Sequence, residues 1–214
     1  MKSEFWHQKW TNDDIPFHES EANSLLQAHV ERLGLTQGSR VFLPLCGKSR
    51  DIAWLLDRGF TVVGAELSEL AINTLFADLG IIPQMTCLDE VIHYQANGID
   101  MYVGDIFKVT ANMLGNIDAV YDRAALVALP ESMRKQYSAH LMKITALAPQ
   151  LLITFEYQQA LMQGPPFSIN EAEVKQLYGS GYEFRCIDSQ EVKGGLKEKV
   201  RAIECAWLLL MPLS

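Results

Sequence analysis

The sequence predicts an α/β fold: a doubly wound, mostly parallel seven-stranded sheet with helices on both faces and a C-terminal antiparallel hairpin. Three observations predict it. Short apolar runs alternate with segments of helical periodicity from Arg40 to Phe155. Polar residues follow several of those runs directly, as at the strand ends of open α/β sheets. Two further apolar runs, 182–187 and 202–211, are separated by the turn-rich Lys193, Gly194 and Gly195. Short parallel connections need crossover helices, whereas a hairpin adds an antiparallel edge.

Taken in order, the segment up to residue 16 carries Trp6 and Trp10, is followed by Phe17 and His18, and reads as a lid. A helix is predicted from near residue 20 to 33, where Leu25, Leu26, His29, Val30 and Leu33 recur at helical spacing and Gly34 supplies the C-cap. A strand at 41–45, a helix at 51–59 and a second strand at 61–67 form a βαβ unit, and another helix follows at 69–79. The stretch 87–100 is ambiguous. A third strand, 101–104, delivers Asp105 at its end, and a fourth spans 117–121 after Gly115 and Asn116. Pro130 and Glu131 open a helix with Met133, Tyr137, Leu141 and Ile144 on one face, leading into a fifth strand at 151–155. The loop 163–167, with Gly164, Pro165 and Pro166, then lies over the ligand crevice.

With 214 residues and 49% hydrophobic side chains, the chain can close one sizeable core, so a single domain over 1–214 is expected. Its net charge of −8, with Lys and Arg scattered, argues against nucleic acid as a partner. No apolar run approaches the roughly 20 residues that span a bilayer, and the polar, aromatic N-terminus lacks an apolar signal-peptide core, so a cytoplasmic protein without membrane attachment is expected. Cys46, Cys87, Cys186 and Cys205 are too dispersed for a disulfide framework or a metal set and read as reduced core thiols; no metal is expected. Without a heptad or a large apolar surface run, the expected state is a monomer.

The candidate site follows from the first strands. Cys46, Gly47, Lys48 and Ser49 form a tight turn after the first, able to aim backbone N–H groups and a helix N-terminus at a ligand. Its single glycine matches neither a pyrophosphate cradle nor a Walker loop. Glu66 ends the second strand about 20 residues beyond that turn, where a carboxylate can accept both hydroxyl protons of a ribose. Alone, such a Glu is a surface acid or a helix N-cap. Asp105 can reach an adenine edge while Ile106 and Phe107 offer apolar surface to the ring; its alternative is a turn or capping acid. Three such positions at successive strand ends describe an adenosine-sized slot.

Phe5, Trp6, Trp10, Pro16, Phe17 and His18, together with VFLPLCGKS at 41–49, VGAELS at 63–68 and YDRAALV at 121–127, resemble the motifs of bacterial-type thiopurine S-methyltransferases over nearly the whole chain. The resemblance implies a Rossmann-like methyltransferase sheet, S-adenosyl-L-methionine as cofactor and S-adenosyl-L-homocysteine as product. Trp10, Leu45, Glu66 and Arg123 fall at matching cofactor-binding positions, Asp105 and Ile106 beside the adenine, and Phe17 toward the substrate. It divides the chain into a lid and helix (1–34), a cofactor-binding core (40–155) and a substrate loop with the hairpin (156–214). A sulfonium cofactor also accounts for the single-glycine turn, because it has no pyrophosphate to cradle.

The implied reaction is direct in-line methyl transfer to a thiol such as a thiopurine, extending to selenium and tellurium compounds. Arg123, otherwise a surface ion-pairing residue, is expected to bind the methionine carboxylate or stand by the acceptor, and is the catalytic candidate. Lys197 near the hairpin can stabilise an anionic acceptor. His18 is not needed as a base, since aromatic thiols are partly ionised near neutrality and are soft nucleophiles. Two alternatives share these features: a nicotinamide-dependent oxidoreductase, which the glycine count opposes, and a non-catalytic binding module, which the intact acids and Arg123 oppose.

Overall fold

The computed structural model describes residues 3–15 and 18–212. Its strands are β1 (Arg40–Pro44), β2 (Thr61–Glu66), β3 (Gln84–Leu88), β4 (Val91–Ala96), β5 (Ile99–Val103), β6 (Ala119–Arg123), β7 (Gln150–Glu156), β8 (Glu183–Glu191) and β9 (Ile203–Leu210). They form one sheet in the order β3-β4-β5-β2-β1-β6-β7-β9-β8. The five central strands run parallel, and the pairs β3–β4 and β8–β9 flank them antiparallel. The α/β class and the terminal hairpin are as predicted. Among the described residues the sheet has nine strands rather than the expected seven, because β4 lies within the ambiguous stretch 87–100 and β3 runs into it from Gln84.

The helices are α1 (Ser3–Thr11), α2 (Ser24–His29), α3 (Arg50–Asp57), α4 (Glu69–Leu79), α5 (Ala111–Leu114), α6 (Glu131–Ile144) and α7 (Glu171–Tyr178). Alternation along each central strand sends side chains to opposite faces, and each face collects its own helices. Val41, Leu43 and Val62 pack with Leu26 of α2, Ile52 and Leu55 of α3, and Ile72 and Leu75 of α4. Phe42, Val63 and Val120 pack with Tyr137 and Leu141 of α6 and Val174 and Tyr178 of α7. Both clusters bury aliphatic side chains almost completely, worth roughly 1.5–3 kcal/mol apiece.

The helix predicted from residue 20 starts at Ser24, because Asn23 takes an extended ψ of 131° and its side chain accepts from Leu25 N and Leu26 N. Its last turn is a 3₁₀ segment, Val30–Leu33, closed by the predicted left-handed Gly34. Residues 18–23 are thereby left as a strap by the carboxyl ends of the central strands, meeting Arg123 at the end of β6 and Asp51 at the start of α3. The fourth strand lies two residues later than expected, placing Arg123 on it as the final residue. Asp118 holds that offset by accepting the Arg40 backbone N–H at 2.7 Å. All four cysteines are free, as expected, but only Cys205 is buried in the core. Cys87 and Cys186 are exposed because β3 and β8 are the edge strands of the sheet.

Candidate active site

β1 lies between β2 and β6, so successive connections leave it in opposite directions and open a crevice at the carboxyl ends of the strands. The crevice is a cavity of about 910 Å³, near the upper end of the roughly 300–1,000 Å³ usual for small-molecule sites. Trp10, Leu45, Glu66, Asp105, Ile106, Arg123 and Lys197 all line it. Phe17 lies outside the described residues.

Glu66 is the best-anchored of these. Its Oε2 accepts the Gly47 N–H at 2.8 Å and its Oε1 the Ser68 N–H at 2.8 Å. Burial raises its pKa, and the backbone donors of Ser68, Gly47 and Leu67 pull the other way. A carboxylate offers about four lone-pair sites, so beyond these backbone donors it retains capacity for a further hydroxyl donor. The alternative helix-capping role falls instead to Ser68, whose hydroxyl accepts from Ala71 N.

The turn after β1 bends through two left-handed residues, Leu45 at φ 47° and Gly47 at φ 53°. A side chain at Gly47 would sit 2.8 Å from Trp10 Cζ2, so this position must lack a Cβ for Trp10 to pack on it. Trp10 is buried, while Phe5 and Trp6 on the same helix also face the cavity. The N-terminal aromatics are thus carried by α1, which packs against the turn.

Asp105 is exposed and accepts the Phe107 N–H at 3.0 Å, so it caps a 3₁₀ turn as its alternative reading held, while also lining the cavity. Buried Ile106 stands beside it, its carbonyl 2.9 Å from His140 Nε2. Lys197 is exposed in the β8–β9 connection at φ 50°. Leu129, Met133, Phe155, Pro165 and Pro166 add an apolar wall, so the predicted loop after β7 does reach the site.

Arg123 is not a surface residue. Its side chain is 9% exposed, and Nη2 pairs with Glu19 Oε1 at 2.5 Å. Burial alone would lower its pKa, but Tyr121, Glu19, Asp51 and Glu204 hold it above the usual arginine value. Its buried Nε has no hydrogen-bond partner among the described residues. His18 is held below its ordinary pKa by burial and by Lys48, Arg50 and Arg123, and is neutral near pH 7.

Sequence reasoning missed the polar frame behind Arg123. Asn23 donates its N–H to Asp51 Oδ1 at 2.7 Å and its amide to Glu204 Oε1 at 3.2 Å. Tyr121 donates to Asp51 Oδ2 at 3.1 Å. One buried residue thus ties the strap to α3 and to β9. These groups have the chemistry to meet an amino-acid-bearing nucleoside: an anchored acceptor carboxylate in Glu66, a guanidinium N–H in Arg123 without a partner among the described residues, and several carboxylates able to balance a cation. Among the described residues no His, Cys, Asp and Glu cluster could hold a metal.

The family model for thiopurine S-methyltransferase matches residues 1–209. A thiopurine S-methyltransferase of Xanthobacter autotrophicus is 51% identical over 210 residues, covering 98% of this chain and 99% of that one. One of Teredinibacter turnerae is 49% identical, covering 98% and 97%. The fold is also similar to that of 1,6-didemethyltoxoflavin-N1-methyltransferase of Burkholderia thailandensis, solved with bound 1,6-didemethyltoxoflavin and S-adenosylhomocysteine: the TM-score is 0.66 at 15% identity, covering 97% and 87% of the two chains. No helix among the described residues is long and apolar enough to cross a membrane. With a family match along almost the entire length and the strand-end site in place, the chain belongs to the thiopurine S-methyltransferase family of S-adenosylmethionine-dependent methyltransferases.

Proposed function

We propose that this enzyme transfers the methyl group of S-adenosyl-L-methionine directly to the sulfur of an aromatic or heterocyclic thiol, thiopurines included, and to selenium and tellurium compounds of similar shape. The observation that carries this reading is the pairing, in one cavity, of a doubly anchored Glu66 with an Arg123 whose buried Nε–H awaits an acceptor.

In this reading Glu66 binds the ribose hydroxyls, Asp105 and Ile106 border the adenine, and Leu45 and Trp10 close over the cofactor. Arg123 holds a carboxylate at the reacting end, and Lys197 and Phe17 face the acceptor. When bound, the sulfonium supplies a methyl group already activated toward nucleophiles. The protein's task is then to orient the acceptor and exclude water, which α1 and the Pro165–Pro166 loop do by covering the crevice. A soft thiolate needs no side-chain base, so neutral His18 shapes the wall without an obligatory proton transfer. A small molecule is the partner, acted on by a monomer in the cytoplasm.

The reading is tested by ligand-dependent melting and by methyl transfer. S-adenosylhomocysteine raises the Tm by preferential binding to the folded state, whereas NAD does not. Labelled S-adenosylmethionine then methylates an aromatic thiol. Stabilisation by NAD alone would point to the oxidoreductase, and cofactor binding without turnover on thiols, selenols or thiopurines to a binding module.

A further inference from the structure

Arg123 already carries a carboxylate partner, yet its guanidinium is only partly used. Glu19 Oε1 contacts Nη2 alone, and the Nε–H that completes the same side edge of the guanidinium is buried without a partner among the described residues. A buried donor left unmade costs roughly 1–3 kcal/mol, so an acceptor entering the cavity gains by reaching it. Arginine meets carboxylates best through two adjacent N–H groups, and Glu19 holds one of them.

Glu19 is the weaker side of the contact. Its side chain is 41% exposed, and it stands on the strap four residues before Asn23 rather than on a strand. Burial raises its pKa against the pull of Arg123, and Glu204 and Asp51 add repulsion. Removing Glu19 from Arg123 returns it to water and away from two like charges, while Asn23 keeps the strap pinned through Asp51 and Glu204. The strap can release one contact without detaching.

We propose that Glu19 is a built-in competitor for Arg123, a specificity-determining residue whose carboxylate a ligand carboxylate must displace or share in order to bind. It sets the affinity for carboxylate-bearing ligands while leaving ligands without one untouched. The carboxylate can come from the amino-acid end of the cofactor or from the acceptor, and the two sources separate experimentally. The inference rests on the methyltransferase reading only for naming those sources.

The test compares wild type, Glu19→Gln and Glu21→Gln by titration calorimetry at one pH and salt concentration. Glu21 is an exposed strap acid, so its variant controls for net charge. The cofactor pair is S-adenosylhomocysteine against 5′-methylthioadenosine, which lacks the amino-acid end. The acceptor pair is 2-mercaptobenzoate against 2-mercaptobenzamide, measured without cofactor. Glu19→Gln is expected to tighten the carboxylate-bearing member of one pair by about 10-fold, equivalent to about 1.4 kcal/mol, and to leave its counterpart and all Glu21→Gln affinities unchanged. The pair that responds names the source. Equal changes in both members of each pair, or none in any, overturn the proposal by making the contact merely structural. Failure of S-adenosylhomocysteine to bind wild type defeats the cofactor reading separately, and failure of all four ligands defeats both.

Discussion

Gly47 donates its backbone N–H to Glu66 Oε2 at 2.8 Å, so the turn after β1 and the end of β2 form one continuous surface. Ser68 holds the other oxygen equally closely. Glu66→Gln keeps the shape but turns an amide N–H₂ toward one of those two donors. The facing donors leave a buried N–H unpaired at about 1–3 kcal/mol and remove one acceptor oxygen from the proposed ribose contact. S-adenosylhomocysteine affinity, measured by calorimetry, is expected to fall by roughly 10- to 100-fold while far-UV circular dichroism stays native. Unchanged affinity would remove Glu66 from the cofactor site.

The Asn23 side chain joins the strap to α2 and β9, while the residue's backbone N–H to Asp51 survives any substitution that keeps a backbone donor. Its side chain caps α2 through Leu25 N and Leu26 N and donates to Glu204. Asn23→Ala loses a cap worth about 1 kcal/mol and leaves a buried Glu204 oxygen with less solvation, for a combined destabilisation of about 2 kcal/mol in urea unfolding. Hydrogen exchange at the amides of Leu25 and Leu26 should accelerate more than exchange in β1. A uniform acceleration would show that the strap and the sheet open together.

Much of this architecture was legible because the central strands obey both local and global rules. Runs such as Val41–Phe42–Leu43 are apolar at every position since both faces are covered, and the terminal hairpin announces itself through Gly194 and Gly195. The β4–β5 hairpin was missed although Asn97–Gly98, the two residues joining Ala96 to Ile99, is a strong turn signature, with Gly98 at φ 78°. Helix α7 carries an equally readable start, in which Asn170 caps Glu173 N three residues on.

The site divides in the same way. Glu66, Asp105 and the turn at Gly47 were visible because each follows an apolar run. The Glu19–Arg123 contact and the Asn23 links to Asp51 and Glu204 join residues 104, 28 and 181 positions apart, beyond any local period. Only the assembled sheet brings them together.

Gly47→Ala tests how tightly α1 rests on the turn. The new methyl would meet Trp10 Cζ2 at 2.8 Å in a left-handed backbone at φ 53°. A cost of about 1–2 kcal/mol in stability is expected from the left-handed backbone alone. The indole must also move outward, so tryptophan emission should shift to the red and S-adenosylhomocysteine should bind several-fold more weakly. Native emission with native affinity would mean that α1 adjusts without losing its hold on the site.

Asp122 provides a prediction of opposite sign to the usual carboxylate. It is fully buried next to catalytic-candidate Arg123, and burial pushes its pKa from 3.8 up to about 6 despite donors at Leu126 N and Tyr137 Oη. Between those values the folded state holds a proton that the unfolded state has released, so this group's contribution to stability falls as pH rises through the window. The full effect corresponds to about 3 kcal/mol lost by pH 7 relative to pH 3.8 or below. Asp122→Asn keeps an acceptor for Leu126 N and can meet the Tyr137 hydroxyl with its amide, but cannot ionise. The stability of the variant relative to wild type, from urea unfolding at pH 4 and pH 7, should therefore rise with pH by up to about 3 kcal/mol. A difference that is flat with pH would mean that Asp122 has the same proton affinity folded and unfolded, its two hydrogen bonds having cancelled the cost of burial.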